Sequence, residues 1–178
     1  MIETARLILR RWQDCDRAPF HAMGNDPRVM AFLGASQSLD DVDAGIKRQN
    51  DFIDRLGHGF WAIERRSDHE FLGFCGIKPG AVGTPIENLP EIGWRLAARH
   101  WGQAYAKEAA LASLTWGWEN LADDAIWAIT VPANVRSWGL MERIGMTRRH
   151  DLDFDFPGFS LDHPLRRHIS YMIGRAAS

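Results

Sequence analysis

The sequence lacks the residues on which several classes of protein depend. Only two cysteines are present, Cys15 and Cys75, and Cys75 lies in an apolar run that is typical of a buried strand. The pattern therefore indicates neither a disulfide framework nor a cluster of metal ligands. The formal net charge is -2, so no electrostatic field favours nucleic acid or an anionic membrane as a partner. Because the histidines also lack ligand spacing, we expect no metal ion.

Long apolar segments are missing too. No uninterrupted apolar run is long enough to span a bilayer, and residues 1–6 have no apolar signal core. We therefore expect a cytoplasmic location without a membrane partner. The chain shows neither an internal repeat nor a linker, so residues 1–178 are expected to form a single domain.

What the sequence does contain is typical of a globular α/β domain. Apolar residues make up 46% and charged residues 25% of its 178 residues, which is ordinary usage for a chain with one sizeable core. Its eight tryptophans are many for this length. Most are expected to pack in the core, although Trp12, Trp61 and Trp94 could also form the wall of a substrate cavity.

Apolar periodicity alternates along the chain between strand and helix patterns. Helices are predicted after Asp14, between the N-cap Ser38 and Gly57, from Gln103 to Leu121, and from Asn134 to Gly145. Strands are predicted at residues 6–12, 60–64, 70–77, 91–97, 125–131, 146–154 and 168–173. The resulting order is β-α-α-β-β-β-α-β-α-β-β.

The turn between the strand at 91–97 and the following helix has the clearest chemistry. The small residues Gly102, Ala104 and Ala106 lie where the helix begins. The first N–H groups of a helix have no partner within it, and the helix dipole favours an anion there. Small side chains let a diphosphate approach that backbone, although an alanine-rich helix start packed on a sheet has the same pattern. The turn is neither a P-loop nor a dinucleotide-binding fingerprint.

Several motifs, in order along the chain, resemble one superfamily. They are residues 3–10, then 91–94 with 101–109, then 134–137 with 141–146, and finally 168–171. The chain resembles the GNAT acetyltransferase superfamily, in the branch of ribosomal-protein N-terminal acetyltransferases (RimJ/RimL-like). In that branch these segments correspond to the first strand, the acyl-CoA motif, the next helix with its turn, and the last strand.

The resemblance implies a strongly twisted mixed sheet flanked by helices, with the fourth and fifth strands splayed apart. The pantetheine arm of acetyl-CoA would lie in this gap and hydrogen-bond to the backbone of Trp94, Arg95 and Leu96. Asn134 would hydrogen-bond to the same arm. The pyrophosphate would bind the amides of Trp101, Gly102, Gln103, Ala104, Tyr105 and Ala106.

Three positions depart from the pattern of the wider superfamily. Trp101 stands where arginine or glutamine is usual, although tryptophan is common in the RimJ/RimL-like branch. Ala104 stands where glycine is usual, and alanine does not readily adopt a positive φ. Met141 stands where many relatives have a tyrosine that serves as general acid.

Acetylation of an amine needs a base, a polarised thioester carbonyl and a proton for the departing thiolate. Glu91 is the first candidate for the base, with a solvated carboxylate at a strand end as the alternative. Ser137 lies one turn after Asn134. Because Met141 cannot supply the proton that a tyrosine supplies in many relatives, Ser137, Tyr171 or solvent could protonate the thiolate instead. The residues expected near the acceptor amine are Trp12, Trp61 and Glu91.

The leading hypothesis is an N-acetyltransferase that moves the acetyl group from acetyl-CoA to a primary amine. The acceptor would be a protein N-terminal α-amine or a small-molecule amine, because the fold does not fix it. Met141 suggests an alternative, a non-catalytic acyl-CoA-binding sensor or interaction module. A third hypothesis is an unrelated α/β nucleotide-binding domain. A homodimer is the expected assembly on base rate alone.

Overall fold

The computed structural model describes residues 1–175. Its strands are β1 (Ile2–Glu3), β2 (Leu7–Arg10), β3 (Phe60–Arg65), β4 (Phe71–Pro79), β5 (Pro90–Leu96), β6 (Ala125–Thr130), β7 (Thr147–Arg148), β8 (Phe154–Asp155) and β9 (Arg167–Gly174). Its α-helices are α1 (Arg17–Gly24), α2 (Pro27–Met30), α3 (Leu39–Leu56), α4 (Tyr105–Asn120) and α5 (Val135–Arg143).

These strands form one nine-stranded sheet in the order β1-β2-β3-β4-β5-β6-β9-β7, with β8 paired to β9. Neighbouring strands are antiparallel except β5 and β6, which are parallel. This confirms the mixed α/β sheet. The fourth and fifth predicted strands are β5 and β6, because the structure has a short extra strand, β1, before the first predicted one.

The helix predicted between Ser38 and Gly57 is confirmed as α3. Ser38 Oγ accepts a hydrogen bond from the amide of Asp41 at 3.1 Å, so the N-cap supplies an acceptor to a first-turn amide that the helix leaves unpaired. At the other end, Gly57 has φ 80° and bonds to the carbonyl oxygen of Ile53. A residue without Cβ adopts this left-handed conformation at little cost.

The prediction of one strand at 146–154 was wrong. The structure has only β7 and β8 there, separated by a short turn of 3₁₀ helix at His150–Leu152. An ion pair spans this turn, since Arg148 Nη2 donates to Asp153 Oδ2 at 2.6 Å. This segment therefore has an ion pair between close neighbours in the sequence where the prediction expected the hydrogen bonds of one continuous strand.

Apolar side chains pack on both faces of the sheet. The larger buried cluster includes Leu72, Ile77 and Ile92 and lies against α4 and α5, from which Leu114 and Leu140 contribute. The smaller cluster lies under α1 and α3 and contains Trp12, Phe20, Met23, Val29, Val42, Ala62, Phe71, Phe74 and Ala97. The helices therefore flank the sheet as expected, and β5 is buried between the two layers.

Candidate active site

The turn that precedes α4 presents a row of backbone N–H groups to solvent. Within residues 1–175, the amides from Gly102 to Lys107 have no hydrogen-bond acceptor, and the first paired amide is that of Glu108, which donates to the carbonyl oxygen of Ala104 at 3.0 Å. Trp101 is not part of this amide row, because its N–H donates to the carbonyl oxygen of Ala98 at 3.2 Å. The unpaired amides therefore run from 102 to 107, one residue later than the predicted range of 101–106.

Two residues with positive φ shape the amide row. Gly102 has φ 76° and Ala104 has φ 63°. The value at Gly102 costs little, whereas a left-handed conformation costs a residue with a Cβ roughly 1–2 kcal/mol. The sequence indicated that alanine does not readily adopt a positive φ, and the structure places Ala104 there. Strain of this kind persists only where the surrounding contacts impose it.

Those contacts come from the N-terminal end of the chain. Arg6 Nη1 donates to the carbonyl oxygen of Gln103 at 3.1 Å, and its guanidinium lies 4.5 Å from the ring centroid of Tyr105. Glu108 accepts hydrogen bonds from Thr4 Oγ1 at 2.6 Å and Arg6 Nε at 2.7 Å. The start of α4 is therefore fixed on both sides of Ala104, and its geometry exists before any anion arrives.

A gap between β5 and β6 lies beside this turn. The two strands share one pair of partners, Glu91 with Trp127, and no further pair is formed among the described residues. The predicted splay is therefore present, and it includes Trp94, Arg95 and Leu96 on β5. At the end of β5, Trp101 Nε1 donates to the carbonyl oxygen of Leu96 at 2.9 Å, so the indole occupies that acceptor.

The beginning of α5 completes the surroundings of the gap. Asn134 is the N-cap residue, but its side chain makes no capping bond. Instead, its Nδ2 donates to Thr130 Oγ1 at 3.1 Å, which orients the amide from the end of β6. The guanidinium of Arg136 lies 4.7 Å from the ring centroid of Trp101. Ser137 is half-buried one turn into the helix.

Glu91 lies at the single point where the splayed strands meet. Its carboxylate oxygen Oε2 is paired with Lys78 Nζ, and the two side chains are 11% and 18% exposed. Oε1 has no hydrogen-bond donor among residues 1–175. The sequence did not indicate Lys78. It lies directly opposite Glu91 because of the antiparallel register of β4 and β5. The pair therefore leaves one carboxylate oxygen without a partner among the described residues.

Comparison with known proteins identifies the family that has these features. Residues 6–147 match the family model of the acetyltransferase (GNAT) domain. The chain belongs to the GNAT acetyltransferase family. This GNAT acetyltransferase is 33% identical over 144 residues to the uncharacterised protein YkkB of Bacillus subtilis (strain 168), over 80% of this chain and 83% of YkkB.

Solved structures of other proteins show the same fold. An acetyltransferase from Agrobacterium tumefaciens str. C58 superposes with a TM-score of 0.79 and 26% identity, over 98% of this chain and 94% of its own. RimL, a ribosomal L7/L12 alpha-N-protein acetyltransferase in complex with coenzyme A, has a TM-score of 0.74 over 96% of this chain and 95% of its own. RimL is 14% identical to this GNAT acetyltransferase, so that likeness shows the fold alone.

The remaining candidates for proton transfer in this GNAT acetyltransferase lie on β9 and α5. Tyr171 is 4% exposed, and its hydroxyl donates to Glu142 Oε1 at 3.2 Å. Burial, and then the bond to this carboxylate, raise the pKa of Tyr171. Met141 is 2% exposed within the larger cluster. The structure thus places the Tyr171 hydroxyl near the C-terminal end of α5, whereas Ser137 and Asn134 lie near its beginning.

Trp12 and Trp61, expected near the acceptor, are packed inside the GNAT domain. Trp12 is 4% exposed, and its Nε1 donates to the carbonyl oxygen of Phe60 at 2.6 Å. Trp61 is 2% exposed and lies edge-on to Trp116 with ring centroids 5.1 Å apart. Both rings belong to the core, and Trp12 supports the neighbouring strand through Phe60.

In the described part of the chain, residues 1–175, histidine, cysteine, aspartate and glutamate form no group of three or more that could hold a metal ion. Within the same residues, no helix has the length and apolar character that a membrane crossing requires.

Proposed function

We propose that this protein transfers the acetyl group of acetyl-CoA to a primary amine by direct attack of the amine on the thioester. The observation that supports the proposal best is the amide row at 102–107 beside two strands whose single pair of partners within residues 1–175 is Glu91 with Trp127. Unpaired amides at a helix N-terminus suit a diphosphate. A gap between strands suits an extended arm that ends in a thioester.

For the donor, the proposal assigns the pyrophosphate of acetyl-CoA to the amides of Gly102, Gln103, Ala104, Tyr105 and Ala106. The pantetheine arm would use backbone groups of Trp94 and Arg95, with Asn134 and Ser137 facing it from α5. Trp101 would contribute by holding the end of β5, since its indole already occupies the carbonyl oxygen of Leu96. The stacked Arg136 adds a cation beside the same edge.

For the chemical step, Glu91 is assigned as the base. A neutral amine attacks the thioester carbonyl carbon, the C–S bond breaks, and the amine nitrogen loses a proton to Glu91 directly or through water. Backbone N–H groups near Trp94 and Arg95 would stabilise the oxyanion. The departing thiolate takes a proton from Ser137, from Tyr171 or from solvent. Among these, Ser137 lies on the same turn of α5 as Asn134, whereas the Tyr171 hydroxyl is bonded to Glu142.

For the acceptor, the proposal keeps the RimJ/RimL-like branch and a protein N-terminal α-amine or small-molecule amine as substrate. The motifs at 91–109 and 134–146 support this choice. RimL, a ribosomal L7/L12 alpha-N-protein acetyltransferase, has the same fold, which is consistent with this choice.

The test has two parts. Calorimetry should show that coenzyme A binds and that ATP and NAD do not. A thiol-release assay with acetyl-CoA and a panel of peptide and small-molecule amines should show turnover. Coenzyme A binding without turnover across the whole panel would favour the non-catalytic module, and binding of ATP or NAD instead would remove the acetyl-CoA assignment.

A further inference from the structure

One face of β5 carries charge inside the protein. Along this strand Ile92, Trp94 and Leu96 pack with the cluster under α4 and α5. Alternate residues of a strand point to opposite faces, so Glu91, Gly93 and Arg95 form the other face, which we call the Arg95 face. Glu91 is paired with Lys78. Arg95 has no carboxylate partner among residues 1–175.

The side chain of Arg95 is half-buried, and its guanidinium is incompletely bonded. Its Nη1 donates to Gln37 Oε1 at 3.1 Å, but its Nε is buried without a partner. Burial lowers the pKa of Arg95 to about 10, so the group is still a cation at neutral pH. A buried cation that lacks an anion costs stability. Such an arrangement is expected where a ligand supplies the missing charge.

Two other arginines with little exposure show the usual solution. Arg10 is bonded to Asp16 at 2.7 Å and to Glu64 at 2.6 Å. Arg148 makes a fork with Asp153, whose Oδ2 lies 2.6 Å from Nη2. The fold therefore neutralises its inward-facing guanidinium groups with carboxylates elsewhere, and Arg95 is the exception on the strand that borders the gap.

Between Glu91 and Arg95 the face is aromatic. The rings of Phe60 and Phe74 stack with centroids 5.2 Å apart, and the Arg95 guanidinium lies 5.3 Å from the Phe74 centroid. Gly93 makes this possible, because a Cβ at that position would lie 2.6 Å from Phe60 Cζ. A carboxylate at one end, a guanidinium without an anion at the other and aromatic rings between them match an amine that also bears an anion.

We infer that the acceptor is an amine that carries a carboxylate, with the carboxylate on Arg95 and the amine toward Glu91. This inference rests on the proposed function and names its substrate class. Glu91 and Arg95 are four positions apart on the strand, or about 13 Å between their Cα atoms. The amine and the carboxylate are therefore separated by more than one carbon, as in a short peptide. A polyamine would bring further cations to a face that already has an unpaired one.

The probes are glycylglycine and glycylglycinamide, which have the same free amine and differ in the terminal carboxylate. Their binding is measured by calorimetry on protein loaded with coenzyme A, so this readout does not need turnover. Wild type is expected to bind glycylglycine at least about tenfold more tightly than the amide, as for a charge-assisted hydrogen bond. The same preference should appear in kcat/KM for acetyl transfer.

Two variants at Arg95 and one control complete the test. Arg95→Met should reduce the preference to about one, and Arg95→Lys should keep part of it, since it retains the charge without the planar fork. Arg48→Met, at an exposed arginine on α3, should keep the full preference. All variants should bind coenzyme A as wild type does, because the donor is assigned only backbone groups of Arg95 and these remain in each variant.

The outcomes separate the inference from the proposed function. Equal binding of the two probes by wild type, or an unchanged preference in Arg95→Met, would overturn the role of Arg95. A loss of coenzyme A affinity in Arg95→Met would also overturn it, because the side chain would then serve the donor. Selective binding without acetylation would keep the carboxylate site and reject acetyl transfer. Acetylation of both probes with no preference between them would keep acetyl transfer and reject the carboxylate site.

Discussion

The indole nitrogen of Trp101 donates a hydrogen bond to the carbonyl oxygen of Leu96 at 2.9 Å. This bond joins the last residue of β5 to the turn that precedes the amide row, so the gap and the amide row are held in one geometry. Trp101→Phe keeps an aromatic ring under Arg136 and removes the donor. We expect the affinity for coenzyme A to fall roughly threefold to tenfold, the usual range for one neutral hydrogen bond. Calorimetry measures it, and an unchanged dissociation constant would contradict the coupling.

Two substitutions at Ala104 test its backbone strain and its place in the amide row separately. Ala104→Gly relieves the left-handed strain and should stabilise the protein by roughly 0.5–1 kcal/mol, after allowing for the greater flexibility of glycine in the unfolded chain. Ala104→Asp places an anion on the amide row and should abolish coenzyme A binding. Urea unfolding measures the first effect and calorimetry the second. Ala18→Asp, at an exposed alanine near the start of α1, is the control for an added charge.

Glu91→Gln tests the proposed base. The amide keeps the shape of the side chain but cannot take the proton, so turnover should fall by about 10²-fold or more. Coenzyme A should bind as before, because the change lies on the acceptor side of β5. Glu119→Gln, an exposed change near the end of α4, should have wild-type rates. If Glu91→Gln turned over as fast as wild type, Glu91 would have no part in the mechanism.

The hydrogen bonds that Glu108 accepts should make the stability of the protein depend on pH. Burial raises its pKa, but hydrogen bonds from Thr4 and Arg6 outweigh that effect and leave the pKa lowered. A carboxyl with a lowered pKa in the folded state contributes stability above its ordinary value of about 4.3 and loses it as the pH falls through the folded value. The difference in unfolding free energy between wild type and Glu108→Gln should therefore be largest near neutral pH and shrink in acid. A difference that is constant with pH would contradict this account.

The two cysteines should differ in reactivity. Cys75 is buried, and burial raises the pKa of its thiol to about 12, so almost no thiolate is present at neutral pH. Cys15 is exposed. A thiol reagent should therefore modify Cys15 rapidly in the native protein and Cys75 only after unfolding. Rapid modification of Cys75 would show that β4 opens. Cys15→Ser removes the background from a thiol-release assay.

Local signals in the sequence were sufficient for much of the fold. Ser38 and Gly57 fixed the ends of α3, because capping depends on a few adjacent residues. The short motifs around Trp101 and Asn134 were sufficient for the family and the mixed sheet. The segment 146–154 could not be predicted in the same way, since its apolar alternation suits a strand while the pairing of Arg148 with Asp153 folds it into a turn.

The candidate site was less predictable than the fold. The pairing of Glu91 with Lys78 depends on the register of β4 against β5, which no local pattern specifies. The isolation of Arg95 depends on which side chain the loop before α3 brings to it, and that side chain is Gln37. The loss of the Trp101 amide from the row depends on a hydrogen bond within the preceding turn. Each of these follows from three-dimensional placement.

The bond from Arg6 Nε to Glu108 spans 102 positions in the sequence. Contacts of such separation form only after a long loop has closed, and closure of that loop costs chain entropy before the contact repays it. The start of α4 can form a helical turn early by itself. The left-handed conformation of Ala104, however, is fixed only once the N-terminal residues have docked against the helix. We therefore expect the amide row to be among the last parts of the molecule to take its final shape during folding.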